Sequence, residues 1–171
     1  CKALIITGCL GQRYEKELFS QLPEVDAVLG AADYENVAEV ARAVLTGESH
    51  IKCITDINRC PNEELSKLRV LSTPGYYGYL KIAEGCDSHC TYCVIPKIRG
   101  RYRSRSLESL IEEAKELAEQ GVKELILVAQ DTAVYGKDIY GTPKLDVLLE
   151  GLCAIEGLEW IRILYCYPEH I

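Results

Sequence analysis

The segment GCDSHCTYC, residues 85–93, sets three thiols within eight positions: Cys86, Cys90 and Cys93, spaced C-x3-C-x2-C. Free cysteine otherwise behaves as a small buried hydrophobe, which does not account for three of them in a polar loop. The chain holds nine cysteines in all: Cys1, Cys9, Cys53, Cys60, Cys86, Cys90, Cys93, Cys153 and Cys166. Its opening, CKALIITGCL, has neither the basic start nor the small-residue cleavage site of an export signal. Disulfides belong to oxidising compartments, and an odd count leaves one thiol over. A metal site in a reducing cytosol is therefore the expectation, and with it a cytoplasmic location.

The rest of the sequence tells what carries that loop. Residues 3–7, ALIIT, and 26–30, DAVLG, read as short buried strands, with a helix expected over 14–21 and another over 34–46. This β/α alternation implies a parallel sheet with covering helices. Residues 48–75 are polar, hold Pro61 and Pro74, and read as a linker; Cys53 and Cys60 lie there with no close-spaced ligand pair. The alternation then restarts. Residues 77–83 read as a strand, and the cysteine loop follows it. A helix opens on Ser106 as N-cap with Glu108 in its first turn, and Leu107, Leu110, Ile111, Ala114, Leu117 and Ala118 give it one apolar stripe ending at Gly121. Residues 122–129 form a strand. Thr142 and Pro143 are expected to start a helix carrying Leu145, Leu148, Leu149, Leu152 and a buried Cys153, and 159–165 form a third strand. Trp160 and Tyr165 are read as core. The domain reading is 1–50 for a first α/β module, 51–75 for a linker and 76–171 for the opening of a β/α barrel. No apolar run approaches the ~20 residues of a membrane span. The net charge of −7 argues against a protein that coats nucleic acid. With Cys1 first and no methionine, the sequence reads as a fragment.

In β/α barrels the loops at strand C-termini carry the chemistry, so the position of the cysteine loop favours function. Structural zinc takes four ligands, usually as two close pairs. His89 beside Cys90 would strain the loop as a fourth ligand, and no second C-x2-C pair lies near. A non-catalytic, zinc-stabilised binding module is the weaker reading. A cubane iron–sulfur cluster, normally held by four cysteines, fits better with three because one iron stays open to a substrate or cofactor group. S-adenosylmethionine, through its amino and carboxylate groups, is such a ligand.

The spacing with Tyr92 just before the last cysteine resembles the radical S-adenosylmethionine signature. EGCDSHCTYCVIPKIRGRYRSR, GVKELILVAQDTAVYG and WIRILYCYP resemble the methylthiotransferases. Within them, LKIAEGC and AQDT resemble the branch acting on an aspartate of a small-subunit ribosomal protein. The tRNA-adenosine branch usually has a GQNVN-like stretch where this chain has Ala129, Gln130, Asp131 and Thr132. The resemblance implies a partial radical-SAM barrel on 76–171 and, on 1–50, part of an N-terminal methylthiotransferase domain. It implies two 4Fe-4S clusters: one on Cys86, Cys90 and Cys93, the other on three distant cysteines. Of those three, Cys9 in GCLGQR matches the last, and the first two have no match here. Read alone, Cys9 is either a core thiol or a ligand. The first cluster would reduce S-adenosylmethionine to methionine and a 5′-deoxyadenosyl radical that takes hydrogen from an unactivated carbon; the second would deliver methylated sulfur. The resemblance names the ribosomal protein as partner, and leaves the reductant and sulfur source open.

Other features are candidates on position. KIRGRYRSR, 97–105, puts Lys97, Arg99, Arg101, Arg103 and Arg105 at alternate positions. They are either a solvated extended loop or a cationic lip for the carboxylate of S-adenosylmethionine or for substrate, with Arg99, Arg101 and Arg103 the candidates. Basic stretches with tyrosines also bind RNA, which would suit the tRNA alternative. Gln130 and Asp131 at a strand end, and Tyr92 beside the adenine, are candidate cofactor contacts. Cys166 is given no role.

Overall fold

The computed structural model describes residues 2–59 and 70–170. Cys1 and Cys60 lie outside the described residues. The chain divides into two compact units: Cys1–Pro61 with His89–Gly100, and Asn62–Ser88 with Arg101–Ile171.

In the first unit, three short strands, β1 (Ile5–Ile6), β2 (Ala27–Leu29) and β3 (Ile51–Cys53), pair in parallel in the order β1-β2-β3. Helices α1 (Cys9–Gln21) and α2 (Val37–Leu45, entered through a 3-10 turn at Tyr34–Asn36) connect them. Two differences from the sequence reading matter. Helix α1 starts at Cys9, five residues before the expected Tyr14, and Tyr14 is where its backbone kinks (φ −113°, ψ 20°). The GCLGQR segment winds into a helical turn because Gly11 lets it lie against β2: a Cβ there would sit 2.4 Å from the Leu29 carbonyl oxygen. The second difference is Ile51–Cys53, read as the start of a linker. It is a strand, because Ile51 and Cys53 pack beside Ala27, Leu29, Val40 and Val44, apolar contacts that its polar surroundings mask. Buried Asp33 fastens the β2 loop to the chain beyond β3, accepting from Thr55 N–H (3.1 Å) and Thr55 Oγ1–H (2.6 Å). The short helix α3 (Ile95–Arg99) belongs to this unit and packs on α1.

The second unit has a three-stranded parallel sheet ordered β4 (Tyr77–Lys81), β7 (Glu124–Val128), β8 (Trp160–Ile163). The register aligns Tyr77 with Glu124 and Trp160, and Leu80 with Leu127 and Ile163. On one face, Leu80, Leu125 and Leu127 join Leu110, Ala114 and Leu117 of α4 (Leu107–Glu119) and Leu148 and Leu152 of α6 (Leu145–Cys153) in a single core. Each fully buried leucine contributes about 1.5–3 kcal/mol. Helix α4 opens as expected, with Ser106 Oγ accepting Ser109 N–H at 3.3 Å.

Several expectations are corrected here. The strand over 77–83 splits: after β4, Ala83–Glu84 (β5) turns aside to pair antiparallel with Arg103–Ser104 (β6). The helix expected from Thr142 and Pro143 begins at Leu145, after a separate short helix, α5 (Lys137–Tyr140). Trp160 and Tyr165 are 62% and 67% exposed, since Trp160 points from the sheet face opposite the one that α4 and α6 cover. Cys153 is exposed as well, one residue round the helix from buried Leu152. The basic stretch is not one extended loop. Lys97 and Arg99 lie on α3, Arg103 lies on β6, and Arg105 is turned inward against buried Glu113 (2.6 Å) and Ser109 (2.8 Å).

Candidate functional site

Strand β5 and strand β6 are the two anchored ends of the connection that holds the cysteine motif. Cys86 follows β5 directly and is buried; its Sγ accepts Ser88 N–H at 3.4 Å. Cys90 is exposed and Cys93 half-buried. A turn joins them, Cys93 N–H donating to the Cys90 carbonyl at 3.0 Å, and Cys93 Sγ accepts Ile95 N–H at 3.4 Å where α3 begins. All three are free thiols, and two of them already receive a backbone N–H from two residues on. That donor set suits thiolate ligation of an iron–sulfur cluster, whose sulfurs are tuned by such hydrogen bonds. Among the described residues no three His, Cys, Asp or Glu side chains are grouped to hold a metal ion, and the division between the two units falls at Ser88–His89, inside the motif.

Beside Cys86, wholly within the second unit, lies a cavity of about 440 Å³. Cys86, Asp87 and Ser88 line it from the end of β5, Tyr102 from the approach to β6, Asp131 and Val134 from the loop after β7, and Lys137 and Asp138 from the first turn of α5. Its volume is that of a small-molecule site, and it opens at the C-terminal ends of parallel strands, where β/α folds place ligands. Tyr102 spans its floor: the backbone N–H holds Asp87 Oδ1 (3.1 Å), and the hydroxyl donates to the Asp131 carbonyl (2.7 Å). Burial pushes the Tyr102 hydroxyl well above the usual tyrosine range, and the neighbouring charges of Asp131 and Asp138 add to this, so it stays a donor. Asp138 is committed to Ser104, taking the backbone N–H at 2.8 Å and the hydroxyl at 2.6 Å.

Of the residues singled out from the sequence, Cys86 and Asp131 line this cavity. Gln130 lies next to it in sequence, with Oε1 buried and without a hydrogen-bond partner. Tyr92 is 92% exposed. Arg99 and Cys9 both belong to the first unit, where Arg99 Nε donates to Cys9 Sγ at 3.1 Å. Arg101 is exposed, and Arg103 Nη1 donates to the Arg101 carbonyl at 2.6 Å; both belong to the second unit. The sequence reading missed Asp87, Tyr102, Lys137 and Asp138. Asp87 was the visible one, a carboxylate next to a candidate ligand in a loop already singled out; Lys137 and Asp138 reach the cavity only because the segment after β7 folds back into α5.

The Radical SAM superfamily model matches residues 80–170, just over half of the chain, which covers the cysteine motif, the cavity, strands β7 and β8 and the end of β4. The chain belongs to this superfamily. Among its relatives, the ribosomal protein uS12 methylthiotransferase RimO of Lachnoclostridium phytofermentans is 57% identical over 170 residues, which is 99% of this chain and 38% of that protein. The proteins of the same name from Desulforamulus reducens and Clostridioides difficile are 53% and 52% identical, again over 99% of this chain and 38% of their own length. The chain thus spans about two fifths of the relatives it matches. Among solved structures, the radical S-adenosylmethionine methyltransferase TsrM from Kitasatospora setae shares the fold, with a TM-score of 0.53 at 17% identity, covering 86% of this chain and 32% of that one. The mixed α/β reading with parallel sheets agrees with these findings. No helix among the described residues is long and apolar enough to cross a membrane.

Proposed function

We propose that this chain is the segment of a cytoplasmic ribosomal protein uS12 methylthiotransferase that binds S-adenosylmethionine and starts radical chemistry on an aspartate β-carbon. The observation that supports this most is identity above 50% along nearly the whole chain to proteins of that name. In this reading Cys86, Cys90 and Cys93 hold one 4Fe-4S cluster, and Cys9 is one ligand of a second. Held by these thiolates, an iron–sulfur cluster would supply the reducing electron that S-adenosylmethionine chemistry needs.

The chain's own residues do the rest. Cys86 is the fixed point, held by Ser88 N–H at the cavity wall. Tyr102 keeps the Asp87 and Asp131 walls at one spacing. The carboxylates lining the cavity suit the hydroxyls and positive charge of a nucleoside ligand, and Lys137 suits a carboxylate. Gln130 Oε1 needs a donor, which a bound ligand would provide. Tyr92 offers an exposed ring for adenine. In this reading Arg101 and Arg103 are the cations assigned to substrate, and Arg99 is engaged with Cys9.

Anaerobic reconstitution of this chain with iron and sulfide should give the broad visible absorption of an iron–sulfur cluster, and Cys90→Ala should abolish it. A colourless protein with one tightly bound zinc would overturn the reading. Substrate is decided by mass spectrometry after deletion of the whole gene. Loss of the methylthio group from the uS12 aspartate is expected; its loss from tRNA adenosine instead would assign the protein to the tRNA branch.

A further inference from the structure

Helix α3 makes a sulfur hydrogen bond at each of its ends. At its start, Ile95 N–H donates to Cys93 Sγ at 3.4 Å; at its last residue, Arg99 Nε donates to Cys9 Sγ at 3.1 Å, across 90 residues of sequence. Cys9, Cys93 and the whole of α3 belong to one unit. Both partners of the longer-range bond are held. Cys9 is the first residue of α1, and Gly11 two residues on lies so near the Leu29 carbonyl that a side chain would not fit there, which fixes the start of α1 against β2. Arg99 follows Ile98, which is 6% exposed and anchors α3 in the unit. An arginine keeps its charge at any accessible pH, so the sulfur receives a charged donor throughout.

We propose that Arg99 is a positioning residue for Cys9: its guanidinium orients this sulfur and raises the reduction potential of the cluster that Cys9 helps to hold. The proposal rests on the reading of Cys9 as a cluster ligand. Hydrogen bonds to ligand sulfurs and nearby positive charge stabilise the more negative, reduced cluster, and residues around the ligands orient them as well as tune them. Because Arg99 ends the short helix that starts two residues after Cys93, the donor to the Cys9 sulfur is carried by the segment that follows the other cysteine motif. A change in the Cys90–Cys93 turn would therefore be felt at Cys9 through α3.

The test uses the full-length gene product, anaerobically reconstituted, with Cys9→Ala and Cys90→Ala to assign the electron paramagnetic resonance signal of each cluster. In Arg99→Ala, iron and sulfide content should stay at the wild-type level. The potential of the Cys9-dependent cluster should shift to more negative values, and that of the Cys90-dependent cluster should shift less. Arg99→Lys, which restores charge without the planar Nε donor, should fall between. An unmoved potential in Arg99→Ala, with Cys9→Ala still removing one cluster, would overturn the proposal and leave the reading of Cys9 intact. If Cys9→Ala removes no cluster, that reading fails and the proposal falls with it. Should Arg99→Ala not load iron, Arg99→Lys and Arg99→Gln are compared instead, and equal potentials in both and in wild type would overturn the proposal.

Discussion

The two parallel sheets of this chain show how differently the same β/α pattern can be supported. Strands β1, β2 and β3 are two or three residues long, and their apolar residues fall into two small groups, one around Ala27 and Leu29, the other around Leu18, Val25 and Val28. Strands β4, β7 and β8 are four or five residues long and share one continuous core. The thin sheet relies on polar fasteners such as Asp33 to Thr55, and on close backbone approach at Gly11. The thick sheet relies on leucines. The cavity adjoins the thick sheet, where a rigid floor allows wall residues to be placed to within a fraction of an ångström.

This contrast can be broken in three ways. The largest effect is expected from Leu127→Ala, which empties the centre of the second core; such truncations cost about 2–5 kcal/mol. In urea, the transition should move to lower concentration, with amide-exchange protection falling along β4, β7 and β8 and persisting at Ala27–Leu29. Loss of protection in both sheets at once would mean that they share one cooperative unit. Next is Gly11→Ala, which sets a methyl against the Leu29 carbonyl and should cost about 1–3 kcal/mol as an overpacked site. Here protection should fall at β2 and hold at β7, the mirror image of the first result. The smallest effect is alkaline. Tyr102 and Tyr135 both titrate above the usual tyrosine value, mainly because of burial. Their stabilisation is complete below the unfolded value of about 10 and is lost as pH rises beyond it, because the unfolded chain releases these protons first. One pH unit above 10 the loss should be about 1.4 kcal/mol per tyrosine, and Tyr135→Phe should remove its share of the slope in urea melts at high pH. A slope unchanged by that substitution would count against burial as the cause.

How much could be read from the sequence follows the same contrast. Helix α4 was legible from both ends because its signals are local: a serine cap, a 3.6-residue apolar stripe and a terminal glycine. Strand β7 was legible because it is apolar throughout. Helix α1 was not, since its first turn, CLGQR, has poor helical character on its own and depends on Gly11 fitting against a strand 18 residues away. Strand β3 was hidden for a similar reason: three residues, one of them Lys52, carry no periodic signal, and their pairing to Ala27–Leu29 is long-range. Trp160 misled because aromatic residues in strands are usually covered, and sequence does not say which sheet face has a neighbour. At the site, the thiols were conspicuous by spacing alone. The cavity was not, because Tyr102, Lys137 and Asp138 meet only after β6 has paired with β5 and Ser104 has captured Asp138.

Gly136 illustrates what holds the cavity wall. Its backbone has φ 84°, and a Cβ would meet Lys144 at 2.9 Å and Tyr140 at 3.0 Å, while its N–H donates to Ser104 Oγ at 2.9 Å. Any bulkier residue would push the wall inward or cut it loose from β6. Anyone redesigning this enclosure to admit a different guest should therefore vary Val134 and Lys137 and leave the bare hinge untouched.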